Sequence, residues 1–283
     1  MIGRRAEGRR APSDTRRWRV AGGVLLVSII VLYGFPIYWM VATSLKSAQE
    51  VATLTWIPSE ISLEPYRAFF RSDFLPALRN SAIIAGITGA LTMALAIPAS
   101  YGLARSRSRL VTPALLLLLV VQMIPTSATF IPLFQMLATL GLVDTYLGVS
   151  LAQATLFVPF AVLLLRPAFA AIPPSVEEAA TLDGAGSVRY LIGIALPLLR
   201  NTVIVTTAIV LVSSWAELVY PLTLLLDDDK YPLSVLIAQS IGRFESNYNN
   251  LMAIAVLSSL PVLLVVLAAQ GQLRRGLTLG AVK

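Results

Sequence analysis

Residues 251–273 read LMAIAVLSSLPVLLVVLAAQGQL and contain no charged side chain. A helix of about 20 mostly apolar residues covers the roughly 30 Å of hydrocarbon in a bilayer. The stretch is therefore predicted to cross a membrane, and the composition of the whole chain agrees. Of the 283 residues, 57% are hydrophobic and only 13% are charged, whereas a soluble domain carries about 25% charged residues.

Five further stretches have a similar length and apolarity, which predicts an all-α polytopic transmembrane helical bundle of six spans. They cover residues 20–43, 81–104, 111–137, 146–165 and 201–226. The third stretch contains Pro125 and Pro132, which a membrane helix tolerates where neighbouring helices satisfy the freed backbone groups. The polar segments between the stretches are short enough to be loops of one transmembrane domain, residues 20–283.

The distribution of Lys and Arg predicts that both termini are cytoplasmic. With six spans, 16 of the 22 Lys and Arg residues lie on the side of the termini and six lie on the other side. Cytoplasmic loops are enriched in these residues, and a five-span arrangement would break the asymmetry. Seven of the 16 lie in residues 1–19, which we expect to be a retained cytoplasmic tail and not a cleaved signal. The net charge of +7 is interpreted as an orientation signal, so no nucleic-acid partner is expected.

The residue inventory excludes several kinds of chemistry. The chain has no Cys and no His, which removes thiolate nucleophiles, disulfides, a Ser-His triad and the commonest transition-metal ligands. The phosphate-binding pattern GxxxxGK[ST] is absent as well. We therefore expect a non-enzymatic chain with no catalytic residue, metal or bound cofactor, and any energy from ATP must come through a partner.

The predicted cytoplasmic loop between spans four and five, residues 171–197, carries its own helix signals. Ser175 and Glu178 have the spacing of a capping box, in which the two side chains bond to backbone N–H groups at a helix start. Glycines beyond the next turn predict a break and then a second helix. The predicted starts are Ser175 and Ser187, with the break at Gly184 and Gly186 and the end near Pro197. On composition alone, an amphipathic linker at the membrane interface is the alternative.

The same loop resembles the coupling-loop signature of bacterial ABC-importer permeases. That signature reads EAA, three residues, Gly, nine residues, Ile, one residue and Leu-Pro. It is met without gaps by Glu178, Ala179, Ala180, Gly184, Ile194, Leu196 and Pro197. Three other parts of the chain are similar to the carbohydrate branch of that family, and the last of them resembles the maltose-type second permease: Asn80-Ser81, the LGLVDT of residues 140–145, and residues 270–283.

The resemblance implies that the loop docks in a cleft of a cytoplasmic ATPase and transmits the closure of that ATPase to the spans. Glu178 would bond to the ATPase, Ala179 would permit close packing together with Ala180, and Gly184 would permit the turn. The implied contact set is Glu178, Ala179, Ala180, Asp183, Gly184, Leu196 and Pro197, with Gly280 and Lys283 of the C-terminal tail 274–283 reaching the ATPase dimer.

The resemblance also implies an assembly in a bacterial cytoplasmic membrane. A second permease subunit would complete a heterodimer, and two copies of the ATPase would bind ATP and magnesium. An extracytoplasmic binding protein would deliver the substrate.

Six residues are candidates for the translocation path: Gln122, Gln153, Ser213, Trp215, Glu217 and Tyr220. The spacing of Ser213, Glu217 and Tyr220 places them on one face of a continuous helix. An intramembrane carboxylate usually faces a cavity or a partner, so Glu217 is of most interest. The alternatives are a hydrated position for Glu217 near the outer interface and ordinary interhelical hydrogen bonds for the two glutamines. Related permeases often carry Trp-Asn-Asp or Trp-Asn-Glu here, whereas this chain has Ala216 in the middle.

The leading hypothesis is a permease subunit that forms half of the pathway of an ATP-driven importer for a di- or oligosaccharide. A subunit of the same type for a non-sugar solute such as glycerol phosphate is an alternative, although the spans contain no basic residue for a phosphate. A self-sufficient secondary transporter would need internal repeats and ion-coupling residues near the midplane. An intramembrane enzyme would need chemistry that Cys and His usually supply.

Overall fold

The computed structural model of the protein describes residues 12–51, 55–70, 74–243 and 248–279. These residues form α-helices joined by turns and by two short helices of other types, and they include no β-strand. The α-helices are α1 Pro12–Ser44, α2 Ala48–Val51, α3 Glu64–Phe70, α4 Phe74–Arg105, α5 Val111–Gln122, α6 Thr126–Thr139, α7 Tyr146–Ala171, α8 Pro174–Leu182, α9 Ser187–Tyr190, α10 Leu196–Leu198, α11 Arg200–Ala216, α12 Val219–Leu224, α13 Leu233–Arg243 and α14 Tyr248–Leu279. A π-helical segment, Leu191–Ala195, joins α9 to α10, and a 3₁₀ turn, Asp228–Lys230, precedes α13.

Several of these helices are long and apolar enough to cross a membrane. Four qualify as single helices: Ala21–Ser44, Phe74–Arg105, Tyr146–Ala171 and Tyr248–Gly271. Two pairs qualify together but are bent, by 98° for Val111–Gln122 with Thr126–Thr139 and by 85° for Ser187–Leu198 with Arg200–Ala216. The predicted class, an all-helical multi-spanning protein, is confirmed. The described residues hold four to six candidate spans, so the count of six stays a prediction.

The structure corrects two predicted spans, because neither is one straight helix. Residues 111–137 form α5 and α6, and Pro125 between them has an extended backbone that begins α6. A proline lacks the N–H that would continue the preceding helix. Residues 201–226 contain a second break, where α11 ends at Ala216 and Glu217 is extended at φ −69° and ψ 129°.

The chain divides into two compact units. The first comprises α1, the residues that follow as far as Tyr66, and the start of α14. Its centre is Lys46, whose residue surface is only 2% exposed. The ammonium lies 4.8 Å from the centre of the Trp39 ring, and the Lys46 carbonyl accepts a hydrogen bond from the Asn249 side chain at 3.2 Å. The cation–π contact offsets part of the cost of burying the charge.

The second unit contains every site described below, and α4 and α7 form its centre. Their small residues allow close packing: Ala96 and Ala161 are fully buried. A Cβ atom at Gly89 of α4 would lie 2.9 Å from Leu211 Cδ2, so α11 also packs directly on α4. Buried apolar side chains form two core clusters along these helices, one with Phe169 and Tyr190 and the other with Ile84 and Tyr220.

Candidate functional site

The first site is the coupling segment, residues 171–197. Its first helix, α8, begins at Pro174 with Pro173 as the N-cap, and no side chain caps it. The predicted capping box of Ser175 and Glu178 is therefore wrong. Proline is favoured at the first helical position because its missing N–H would have no partner there, and this moves Ser175 inside the helix.

The turn after α8 depends on Gly184, which has φ +80°. The N–H of Ala185 donates to the carbonyl of Ala180 at 2.9 Å, and the N–H of Gly184 donates to Thr181 at 3.0 Å. These two bonds form a Schellman motif, whose left-handed position favours glycine. The predicted break at Gly184 is confirmed, and so is the start of the second helix at Ser187.

The outer face of the coupling segment exposes both acidic and apolar side chains. Glu178, Ala179, Asp183 and Gly184 are exposed. Three apolar side chains beside them are also exposed, and the sequence analysis did not single them out: Leu182 89%, Val188 71% and Ile192 62%. Val188 and Ile192 line one surface cavity, and neighbouring exposed apolar groups are typical of surfaces that bind a partner. The signal that could have found them was the presence of large apolar residues on two predicted short helices in a predicted cytoplasmic loop.

The inner face of the coupling segment packs on the end of α7. Ala180, Tyr190 and Ala195 are buried in a core that includes Phe169. Ala180 was implied to give the ATPase close access, but its Cβ lies within this chain's own core, so the structure assigns its small size to that packing. Leu196 is partly buried against the same core, whereas Pro197 is exposed.

Four residues connect the coupling segment to the end of α4, and we call Tyr101, Arg105, Glu177 and Tyr190 the latch. Arg105 Nε lies 2.6 Å from Glu177 Oε2, and the Tyr101 hydroxyl donates to Glu177 Oε1. Arg105 Nη2 donates to the carbonyl of Ile172 at 3.1 Å and to the Tyr190 hydroxyl at 3.4 Å. The sequence analysis counted Arg105 only as an orientation signal, because no local pattern relates residues this far apart in the chain.

The second site is a polar network among α4, α7 and α11. The side-chain carbonyl of Gln153 accepts from Thr88 Oγ1 at 3.0 Å and from Ser214 Oγ at 2.5 Å. Its amide nitrogen donates to Glu217 Oε2 at 3.5 Å. Thr88 and Gln153 are fully buried. This placement fits the interhelical hydrogen bond considered for Gln153 as the alternative to a path residue.

Glu217 lies at the break between α11 and α12. Its carboxylate accepts the backbone N–H groups of Val219 at 2.9 Å and Tyr220 at 3.1 Å, so it caps the start of α12. The predicted single helical face through Ser213, Glu217 and Tyr220 is therefore wrong. A side chain that satisfies free N–H groups stabilises a helix start, and here the chain turns to use it.

The side chains of the other path candidates have different surroundings, although the Tyr220 backbone N–H bonds to Glu217. Ser213 and Trp215 line two apolar cavities against α14, of about 190 Å³ and 160 Å³. Tyr220 is fully buried and its hydroxyl is 2.9 Å from Thr129 Oγ1. Gln122 is exposed and donates to the Leu156 carbonyl at 2.6 Å. Apart from Gln153 and Glu217, which bond to each other, the six candidates thus lie in separate surroundings.

Replacing Gln153 by leucine is expected to destabilise the protein without changing its substrate preference. The variant removes the acceptor shared by Thr88 and Ser214, and an interhelical hydrogen bond in a folded membrane protein contributes about 0.6 kcal/mol on average and at most about 1.7 kcal/mol. Unfolding midpoints in mixed detergent measure the loss. Gln122→Leu is the matched control, because it removes one exposed bond and should shift the midpoint less. A lower affinity for one substrate at an unchanged midpoint would contradict this account and make Gln153 a path residue.

The family-like stretches Asn80-Ser81 and 140–145 meet at the opposite end of α4. Asn80 Nδ2 donates to the carbonyls of Asp229 at 2.8 Å and Tyr231 at 3.1 Å. Ser81 Oγ accepts the N–H of Leu233 at 2.8 Å. These bonds fix the chain between α12 and α13, a role that the sequence similarity alone did not assign.

Asp144 fixes the same segment from the other side. It has φ +60°, and its Oδ1 accepts the N–H groups of Leu226 at 3.0 Å and Asp227 at 3.1 Å. Its Oδ2 pairs with the Lys230 ammonium. The hydrogen bond from Lys230 lowers the pKa of Asp144, and the same bond raises the pKa of Lys230.

Acid is expected to weaken the contacts that Asp144 makes with the segment between α12 and α13. Because the pKa of Asp144 is lowered in the fold, its contribution to stability is present above the unfolded pKa of about 3.9 and is lost as the pH falls below it. Lys230→Met should remove the part of this contribution that comes from Lys230 at neutral pH, while the backbone bonds to Leu226 and Asp227 remain. Proteolytic cleavage between α12 and α13, followed from pH 7 to pH 3, should show the difference between the wild type and Lys230→Met shrinking in acid. A constant difference would contradict the assignment.

Two predicted contacts lie outside the described residues: Gly280 and Lys283 of the C-terminal tail. Within the described residues, no group of three or more Asp and Glu side chains is arranged to hold a metal ion.

Comparison with known proteins gives a family over most of the chain. The family described as binding-protein-dependent transport system inner membrane component matches residues 86–279. The trehalose transport system permease protein SugB of Mycobacterium tuberculosis is 32% identical over 266 residues, which cover 92% of this chain and 96% of the relative. The diacetylchitobiose uptake system permease protein DasC of Streptomyces coelicolor is 27% identical over 272 residues, which cover 94% and 97%.

A solved structure shares the fold. It is that of a bacterial ABC transporter involved in the import of the acidic polysaccharide alginate, and one of its chains matches with a TM-score of 0.78 at 24% identity. The match covers 93% of this chain and 98% of that chain. The match shows that this chain has the fold of that chain.

Proposed function

The chain belongs to the binding-protein-dependent transport system inner membrane components, and we propose that it forms half of the translocation pathway of an ATP-driven importer for a di- or oligosaccharide. As a member of that family it is a multi-pass membrane permease and a transport subunit. ATP hydrolysis is assigned to a partner chain, because this chain has no phosphate-binding loop.

The observation that carries the proposal is the exposed outer face of the coupling segment. Glu178 forms no ion pair or side-chain hydrogen bond with the described residues, and Leu182 beside it is 89% exposed. A carboxylate and an apolar anchor on a short helix suit a cleft of a cytoplasmic ATPase. Glu178, Ala179, Asp183 and Gly184 are proposed to lie in that contact, with Leu182, Val188 and Ile192 supplying apolar area.

The sugar substrate is supported by the names of the relatives, which include transporters for trehalose and diacetylchitobiose. The chain itself supplies few groups that select a sugar. Trp215 has a buried indole N–H without a hydrogen-bond partner among the described residues, and it remains a path candidate with Ser213, Glu217 and Tyr220.

The proposed assembly contains this chain, a second permease, two ATPase subunits with ATP and magnesium, and an extracytoplasmic binding protein. Both termini are proposed to lie in the cytoplasm, on the side of the coupling segment. This orientation agrees with the excess of Lys and Arg on that side. Gly280 and Lys283 of the tail are proposed to extend the ATPase contact.

Affinity purification of the tagged chain from its own cells tests the proposal. An ATPase, a second permease and a binding protein should be recovered with it, and ATP hydrolysis by the purified complex should rise when a loaded binding protein is added. A panel of disaccharides and oligosaccharides, with glycerol phosphate as the non-sugar control, then identifies the substrate class. Stimulation by glycerol phosphate alone would replace the sugar assignment and leave the permease assignment intact.

A further inference from the structure

Glu177 and Glu178 are neighbours in the chain but face different partners. Glu178 is exposed on the outer face of the coupling segment. Glu177 instead bonds within the chain, to Arg105 at 2.6 Å and to the Tyr101 hydroxyl. The EAA pattern begins at Glu178, so Glu177 lies outside the signature that carries the family resemblance.

The latch holds three parts of the coupling segment with one guanidinium. Arg105 contacts the residue that follows α7 through the Ile172 carbonyl, α8 through Glu177, and α9 through the Tyr190 hydroxyl. A planar guanidinium with five donors suits such a junction better than a lysine ammonium. Any displacement of the coupling segment therefore pulls directly on the last residue of α4.

The ion pair of the latch is partly shielded from solvent, so its loss costs more than the loss of an exposed pair would. The Arg105 and Glu177 side chains are 19% and 26% exposed, and the rings of Phe169 and Tyr190 lie 6.0 Å and 5.9 Å from that of Tyr101. Removing one partner leaves the other charge poorly solvated, which is costlier than breaking an exposed pair. The pair should therefore stay closed while the segment moves.

The other end of α4 is bonded too. With 32 residues, α4 is about 48 Å long at 1.5 Å per residue. Near its start, Asn80 and Ser81 hold the backbone at Asp229, Tyr231 and Leu233. One continuous helix thus has side-chain bonds to the coupling segment at one end and to the segment between α12 and α13 at the other.

We propose that the Arg105–Glu177 pair, completed by Tyr101 and Tyr190, is the link through which the coupling segment moves α4, so that motion of the ATPase reaches residues 229–233 across the membrane. Glu177 is then a positioning residue within the chain and not an ATPase contact. The inference rests on the proposed function, because it assumes that an ATPase moves the coupling segment.

The test uses the purified importer complex with Glu177→Gln, Arg105→Gln and the exchange variant Arg105→Glu/Glu177→Arg. Each single variant should retain the ATPase but lose uptake by about 5–150-fold, the range of typical allosteric coupling energies. The exchange variant should recover most of the uptake, since it restores opposite charges at the same place. Glu178→Gln is the matched control, and it should lose the ATPase itself.

Tyr101→Phe is a milder variant that keeps all charges, and it should reduce uptake in the same direction with the ATPase retained. It replaces any charge variant that does not fold. The proposal is overturned if Glu177→Gln loses the ATPase as Glu178→Gln does, if the single variants transport normally, or if the exchange variant recovers nothing. Failure of the wild-type chain to bring down any ATPase would instead overturn the proposed function.

Discussion

Replacing Gly184 by valine is expected to reduce substrate uptake to background while leaving the protein in the membrane. Gly184 has φ +80°, and a β-branched residue is a strong outlier there. Holding a non-glycine residue in a left-handed conformation costs about 1–3 kcal/mol, which corresponds to roughly a 5- to 150-fold bias against the native turn. The segment from Ser187 onward would then present a different surface to the ATPase. Uptake by whole cells, normalised to the amount of the permease in membranes, measures the effect.

Two controls separate strain from steric bulk in this experiment. No atom outside the immediate chain lies within 4 Å of a Cβ built on Gly184 or on Gly186. Gly186 has an ordinary φ of −72°, so Gly186→Ala should transport normally. Gly184→Asn should retain part of the uptake, because asparagine tolerates the left-handed region better than other residues. Normal uptake by Gly184→Val would contradict the account of the turn.

Replacing Leu182 by glutamate is expected to release the ATPase from the complex. Leu182 is 89% exposed and lies at the end of α8, next to Asp183. A buried anchor at a protein interface contributes about 2 kcal/mol or more, which is a loss of roughly 30-fold in affinity. The added carboxylate would also have to be desolvated in the cleft. The amount of ATPase recovered with the tagged chain measures the loss.

Leu226→Glu is the matched control for this substitution. Leu226 is 67% exposed, but it lies between α12 and the following 3₁₀ turn, near the far end of α4. The ATPase should be retained in full by this variant. Retention by both variants would mean that the apolar outer face of the coupling segment does not contact the ATPase.

The sequence predicted those parts of the fold that have a local or compositional signal. The long apolar helices α4, α7 and α14 follow from uninterrupted hydrophobic runs. The turn at Gly184 and the helix start at Ser187 follow from glycine placement, which acts through the backbone of a few residues. The end of α8 could therefore be predicted without a structure.

The breaks within predicted spans were harder to predict from the sequence, because contacts between distant parts of the chain cause them. Nothing local distinguishes Glu217 from a helical residue, since Ala216 and Leu218 on either side favour helix. The break becomes visible only when the carboxylate is seen to cap α12 and to meet Gln153 from α7. Pro125 was recognised as a proline within a span, but the sequence did not indicate a bend of 98°.

The candidate site divides in the same way. Glu178 and Gly184 were found from a signature with fixed spacing, whereas the latch joins Arg105 to Glu177 across many intervening residues. Ala180 illustrates the limit of a signature, because the motif marks the position and does not say which face it occupies. The structure places that residue in the chain's own core.

Uptake by proteoliposomes that contain the purified complex tests the central claim most directly. The assay compares a panel of labelled disaccharides and oligosaccharides, with the loaded binding protein outside and ATP inside, against the same vesicles without ATP but with a proton or sodium gradient. The account predicts uptake with ATP, loss of that uptake when the ATPase is omitted, and no uptake driven by a gradient alone. Accumulation driven by an ion gradient without the ATPase would contradict it.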